Sequence, residues 1–292
     1  MKNMMMPTPE LMSYTHHTVP TQFVEAAGIR FAYRRFGKKT GVPIVLNMHF
    51  TGTMDHWDPA VTDGLAAERE VILFNNAGIS STSGETPDSI YEMAYYEEAL
   101  VDALGLSQID LLGISMGGLI AQQVVVDRSE IVRKLILVGT GPKAGEGMQS
   151  LTPEAQEIFG ATYADPEELW LKVHFSPSEK SQAAGRKFLE RKLLRMEDRD
   201  PQIKETVAGA QVAALASYNV ITKDRYSDLK KIKQPTLVVN GSNDIIIYTV
   251  NSFILQQNLP NAELILYPDS NHGSLFQYPD IFNMDANSFL NR

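Results

Sequence analysis

One stretch constrains the fold more than any other: Ile109-Asp110-Leu111-Leu112-Gly113-Ile114-Ser115-Met116-Gly117-Gly118. The run 109–114 is short and almost wholly apolar, which is how a strand covered on both faces of a parallel sheet reads. Gly-x-Ser-x-Gly follows without a loop, and Leu119-Ile120-Ala121-Gln122-Gln123 continues as a helix. A chain turning this sharply from strand to helix needs glycines two before and two after the serine, where a side chain would clash with passing backbone. The turn lifts the serine hydroxyl above the sheet, with the helix N-terminus behind it favouring negative charge. A serine that only caps the helix at Met116 is the competing reading, and the strand–turn–helix context weighs against it.

Similar apolar runs recur at 43–48, 71–74, 135–138, 236–239 and 264–266. Helical segments lie between them, at 57–67, 90–104, 117–126, 250–259 and 282–290. Such alternation predicts an α/β sheet with right-handed crossovers. Residues 21–36 alternate apolar and polar about a turn at Gly28, so an antiparallel hairpin enters the otherwise parallel sheet. One interval breaks the pattern. Between Thr140 and Thr236 the segments 153–159, 166–173, 179–196 and 202–220 are all helical in composition and period. That is far longer than an ordinary connection of roughly 2–6 residues, and reads as an inserted helical subdomain.

Composition removes several function classes. With 292 residues, 43% hydrophobic and 21% charged, the chain can bury a full core, which excludes global disorder. The 26 basic against 35 acidic residues give a net charge of −9, the wrong sign for a nucleic-acid-binding face. The absence of cysteine rules out disulfides, thiolate zinc sites and cysteine nucleophiles. No run approaches the roughly 18 apolar residues of a membrane-spanning helix. The N-terminus is broken by Pro7 and Pro9 and lacks the apolar core of a secretory signal. A cytoplasmic protein with no membrane or nucleic-acid partner is expected, with residues 1–20 a flexible extension and His16 and His17 solvated.

A serine hydroxyl needs a base. Of six histidines, His272 lies in Pro268-Asp269-Ser270-Asn271-His272-Gly273, directly after the last strand. Functional groups of an open α/β sheet collect at the carboxyl ends of its strands, so His272 is the candidate base. His56 reads as local structure beside Asp55 and Trp57, and His49 as strand-end packing. The base needs an orienting carboxylate. Asp244 follows 236–239 in a Gly241-Ser242-Asn243-Asp244 turn, again at a carboxyl end. Asp269 is the competing acid, although three residues from His272 it suits loop shaping, and Glu146 is a weaker rival. The order Ser115, Asp244, His272 differs from the trypsin-like and subtilisin-like orders. An oxyanion hole would draw one N–H from Met116 and a second from Phe50 in the loop after 43–48, with Thr51 the alternative donor.

Together these residues resemble the α/β-hydrolase fold superfamily, in its serine-nucleophile, lidded esterase and cofactor-free haloperoxidase-like branch. The resemblance rests on Gly113-Ile114-Ser115-Met116-Gly117-Gly118, on Phe50-Thr51-Gly52-Thr53-Met54-Asp55-His56-Trp57-Asp58-Pro59, and on the Asn240-Gly241-Ser242-Asn243-Asp244 and Asn271-His272-Gly273 turns. It implies an α/β-hydrolase core over residues 21–140 and 230–292, a helical cap over 141–229, and a metal-free triad without cofactor. Two departures stand out. His49 occupies a position where many relatives carry glycine. The usual Asp-x-Arg-Gly-x-Gly-x-Ser is replaced by Asn75-Asn76-Ala77-Gly78-Ile79-Ser80-Ser81, which removes a structural ion pair. Serine at the elbow, where dehalogenase and epoxide-hydrolase relatives have aspartate, argues against both activities.

The leading expectation is a carboxylic-ester hydrolase acting through an acyl-enzyme on a small-molecule substrate. Lactonase, amidase or peptidase, perhydrolase and a slow-turnover ligand receptor are the alternatives. Thr51, Trp170, His174 and Phe175 are candidates for the substrate pocket, with Tyr163, Phe188 and Met196 as further cap residues. The hairpin edge and the cap surface could each mediate self-association, so a monomer or a homodimer is expected.

Overall fold

A computed structural model describes residues 14–292. Its strands are β1 (Gln22–Ala26), β2 (Ile29–Gly37), β3 (Ile44–Asn47), β4 (Glu70–Phe74), β5 (Ile109–Ile114), β6 (Val132–Val138), β7 (Thr236–Gly241) and β8 (Ala262–Tyr267). They form one sheet in the order β1-β2-β4-β3-β5-β6-β7-β8. β2 is antiparallel to both β1 and β4, and every other pairing is parallel. The mixed sheet with an antiparallel entry is the one the sequence pattern calls for.

The helices are α1 (Pro59–Ala66), α2 (Ile90–Ala103), α3 (Met116–Asp127), α4 (Pro153–Gly160), α5 (Pro166–His174), α6 (Glu179–Lys192), α7 (Thr206–Tyr218), α8 (Val250–Asn258), α9 (Ser274–Gln277) and α10 (Pro279–Asn291). Alternate residues of the central strands point to opposite faces, and each face has its own core. Val45, Leu111 and Leu137 pack with Leu100 of α2, Leu119 of α3 and Leu255 of α8. Leu46, Leu112 and Ile136 pack with Leu65 of α1 and Phe282 and Phe289 of α10. Helices on both faces explain why β3, β4, β5 and β7 are buried along their whole length and β6 everywhere but at Arg133, whereas edge strand β1 is largely exposed.

Helices α4 to α7 fill the interval between β6 and β7. β6 begins three residues earlier than its apolar run because its polar start is satisfied. Arg133 forms an ion pair with buried Asp110 (2.6 Å), and Lys134 Nζ donates to the Phe289 and Arg292 carbonyls (both 2.7 Å). No helix among the described residues is long and apolar enough to cross a membrane.

The N-terminal segment corrects an expectation. Part of the extension, 1–13, lies outside the described residues, but within the segment from Tyr14 to Pro20 the side chains of His16 and Val19 are buried against the core. His16 is buried, its N–H donates to Asp63 Oδ1 (2.7 Å) and its Nδ1 meets Thr62 Oγ1 (2.9 Å). Arg195, from the chain after α6, donates to the carbonyls of His16, His17 and Val19. His16 is therefore a packed residue rather than a solvated one, and burial lowers its pKa to about 3. Its flanking residues gave no periodic pattern from which packing could be read.

Candidate active site

Ser115 joins β5 to α3 with φ 56° and ψ −123°, a conformation that a side-chain-bearing residue adopts only when its surroundings impose it. Its N–H donates to the Val138 carbonyl and its own carbonyl accepts from Gly118 (both 2.9 Å). Gly117 makes this approach feasible, because a Cβ there would overlap the main-chain carbonyl of Asn47 at the end of β3. The elbow is thus held between β3 and β6.

Asp244 sits in the turn after β7, where its Oδ1 accepts from the N–H groups of Ile246 (2.9 Å) and Ile247 (3.0 Å). Its Oδ2 lies 2.9 Å from His272 Nδ1. A carboxylate with both oxygens accepting fixes the histidine tautomer: Nδ1 carries the hydrogen and Nε2 is left as the basic nitrogen. Both residues are buried. Gly139 (φ 52°), just after β6, lies against this ring, and a Cβ there would come within 3.3 Å of His272 Nδ1. Serine, carboxylate and histidine therefore come from the carboxyl ends of β5, β7 and β8 in the same parallel sheet. Among the described residues no hydrogen bond joins the His272 ring to Ser115 Oγ, and the bond the ring makes is to Asp244.

The rival acids are engaged elsewhere. Asp269 Oδ2 accepts from Ser178 Oγ (2.5 Å), tying the His272 loop to the start of α6. Glu146 is half-exposed and pairs with Arg225 (3.1 Å).

The loop after β3 separates the two candidate oxyanion donors. Thr51 has φ 54°, and its N–H is taken by Gln211 Oε1 of α7 (2.6 Å). The Phe50 N–H and the Met116 N–H at the start of α3 have no protein acceptor among the described residues. The loop is braced by His49, whose Nδ1 lies 2.8 Å from the Phe50 carbonyl.

Four of the six histidines gather here around Trp170. His49 stacks on His56 (5.7 Å between centroids), Trp170 stacks on His174 (4.9 Å), and His174 lies 6.0 Å from His272. Burial lowers the His49 pKa to about 4 and pushes His56 and His174 well below the ordinary histidine value, so these rings are neutral. Lys192 Nζ lies 3.8 Å above the Trp170 ring, and burial lowers its pKa to about 8. Phe175, expected on the pocket face, belongs to the core instead. It is 1% exposed and packs on Phe188 (5.9 Å) and Gly185. Phe188 is likewise core, and Met196 is exposed.

The family model of the alpha/beta hydrolase fold matches residues 42–279. The chain belongs to this family. An alpha/beta hydrolase fold protein from Chitinophaga pinensis is 37% identical, with a TM-score of 0.89 covering 95% of this chain and 99% of that one. Est816, an N-acyl homoserine lactone degrading enzyme, is 27% identical, with a TM-score of 0.71 covering 92% of this chain and 100% of its own. The pimeloyl-[acyl-carrier protein] methyl ester esterase of Nitrosomonas europaea is 27% identical, over 77% of this chain and 86% of its length.

Within the alpha/beta hydrolase fold, the two sequence departures are locally compensated. Asn75 Oδ1 accepts from Met54 N–H (2.9 Å), and its Nδ2 donates to Asp200 Oδ1 (2.7 Å). A buried ion pair forms from other residues: Arg34 of β2 with Asp55 (2.5 Å), alongside Asp200. Asp200 lies in the chain between α6 and α7, so this network ties the inserted segment to the sheet. Gln211 and Asp200 were not identified from sequence, because a lone Gln or Asp in an irregular or helical stretch carries no local pattern. Behind the loop, Glu97 of α2 is fully buried and accepts from Asn47 Nδ2 (2.6 Å). Burial, with a smaller contribution from Glu98, pushes its pKa up to about 8.

Proposed function

We propose that this member of the alpha/beta hydrolase fold family is a serine hydrolase that cleaves a carboxylic ester through an acyl-enzyme. The reading is carried by one observation above all. Ser115 is held in a strained elbow at the carboxyl end of β5, on the same edge of the sheet as the turn after β7 that carries Asp244, whose carboxylate commits His272 Nδ1 and leaves Nε2 as base.

In this scheme Ser115 Oγ attacks the ester carbonyl while its proton passes to His272 Nε2. Asp244 stabilises the imidazolium and keeps the ring oriented. The oxyanion is held by the N–H groups of Phe50 and Met116, the two donors left without protein partners. Collapse breaks the C–O bond, and His272 returns the proton to the departing alcohol. Water then loses a proton to His272 and attacks the acyl carbonyl, releasing the acid and restoring Ser115. A lactone is an internal ester and opens by the same steps. Helices α4 to α7 act as a cap, with Trp170, His174 and Thr51 on its inner boundary.

The test is steady-state and pre-steady-state hydrolysis of 4-nitrophenyl acetate and butyrate. The wild type should turn over repeatedly, with Ser115→Ala and His272→Ala lowering kcat by about 10⁴-fold or more and Asp244→Asn by roughly 10⁴. Variants that keep wild-type turnover would refute the assignment. A wild type that binds but never turns over would favour the receptor alternative.

A further inference from the structure

We propose that His49 and His174 form a hydrogen-bond-accepting subsite next to His272 that selects substrates carrying a hydroxyl or amide N–H group on their acyl part. This deepens the reading given above and rests on it.

Tautomer chemistry leads to this assignment. His49 Nδ1 lies 2.8 Å from the Phe50 carbonyl, and His174 Nδ1 lies 3.1 Å from the Trp170 carbonyl. A carbonyl oxygen can only accept, so both Nδ1 atoms carry the hydrogen. A neutral imidazole has one N–H, which leaves Nε2 of each ring as a bare acceptor. Burial keeps both rings neutral at ordinary pH. Among the described residues His49 Nε2 is buried with no partner, and the His174 side chain makes no hydrogen bond besides that of Nδ1. Both residues are at least nine-tenths buried, at 9% and 5% exposed. The empty buried acceptor of His49 carries a desolvation penalty that a core histidine normally avoids by using both nitrogens.

The location gives these acceptors a use. The two rings are 5.5 Å apart and come from opposite sides of the seam between the core and the inserted helices. His49 belongs to the loop that offers the Phe50 N–H. His174 ends α5, and its carbonyl accepts from Gly273 N–H (2.8 Å), next to His272. Phe50, Thr51 and Trp170 at this seam are only half-buried. Among the described residues no three His, Asp or Glu side chains converge as metal ligands, and Lys192 lies over the Trp170 face rather than against either imidazole. Two lone pairs that no side chain or backbone donor among the described residues engages attract an O–H or N–H and repel a free carboxylate.

Hydrolysis of three ethyl esters, followed by pH-stat, tests this. Ethyl butyrate lacks a donor, ethyl 3-hydroxybutyrate has a hydroxyl, and ethyl 3-acetamidopropanoate has an amide N–H. The wild type should prefer at least one donor ester over butyrate by tenfold or more in kcat/KM, and the two donor arms distinguish hydroxyl from amide. His174→Phe should collapse that ratio to within about threefold. A second measurement needs neither turnover nor His174→Phe. Imidazole ¹⁵N NMR of Ser115→Ala should show His49 and His174 as Nδ1–H tautomers, with Nε2 signals that move on adding the hydroxy ester and stay still with butyrate. If no ester is turned over but those signals move, the subsite stands and the ester-hydrolase reading falls. Ester turnover without donor preference, or Nε2 atoms already protonated, overturns the subsite.

Discussion

Replacing Glu97 by Gln should flatten part of the protein's pH-dependent stability. Glu97 has no exposed surface, its Oε2 accepts from Asn47 Nδ2 (2.6 Å), and its Oε1 and Asn47 Oδ1 both lack partners. Burial lifts the pKa from 4.5 to about 8, so the buried carboxyl holds its proton at neutral pH. A carboxyl group whose folded pKa is raised holds its proton in the folded state and releases it on unfolding. Its contribution is therefore complete below pH 4.5 and is lost as pH rises towards 8. Each pH unit within that span costs up to about 1.4 kcal/mol. The window from pH 6.5 to 7.5 lies between the unfolded and folded Glu97 values. The buried histidines, which regain the ordinary value of 6.5 on unfolding, Glu98, raised to about 7, and Lys192, lowered to about 8, also titrate in or near it, but both proteins share them and they cancel in the difference. Across that window the wild type should lose roughly 1 kcal/mol through Glu97. Glu97→Gln keeps the shape and can still accept from Asn47 Nδ2 but cannot titrate. Urea midpoints at both pH values should therefore show the variant gaining roughly 1 kcal/mol on the wild type between pH 6.5 and 7.5. A constant difference between the two proteins would mean that Glu97 is already ionised, and the argument fails.

Three further outcomes follow from the packing. Gln211→Leu strands the Thr51 N–H under α7 and should cost about 1–3 kcal/mol in urea unfolding; an unchanged midpoint would show that the bond is not retained. Gly117→Ala drives a Cβ into the Asn47 backbone carbonyl, where no side chain can swing away, so its thermal unfolding should reveal a loss of roughly 3 kcal/mol or more. Arg34→Met leaves Asp55 and Asp200 buried beside it without their main cation and should destabilise by about 3 kcal/mol. Partial compensation by Arg195 near Asp55 (3.8 Å) sets that value, and a near-neutral change would mean the pair is already offset.

How much of this was legible in sequence follows the physics. Strands buried on both faces announce themselves as unbroken apolar runs, so β3, β4, β5 and β7 are readable almost to the residue. The start of β6 was not, because Arg133 and Lys134 break the run and find their partners in Asp110 and in the C-terminal carbonyls, remote in sequence. Ser115, Asp244 and His272 are the residues the sequence points to because each lies in the turn or loop that follows a strand. The neutral histidine cluster was not readable: His49, His56, Trp170 and His174 come from two distant stretches, and only the docking of α5 on the loop after β3 brings their rings together. The same holds for His16, which looks like tail until Arg195 and Thr62 are seen around it.

The most direct test of the central claim is intact-mass analysis after treatment with a fluorophosphonate, comparing the wild type with Ser115→Ala. An activated serine should give a single adduct on the wild type, mapped by peptide sequencing to Ser115, and none on the variant. An adduct on another residue, or a folded wild type that takes none, would contradict the assignment of Ser115 as the nucleophile.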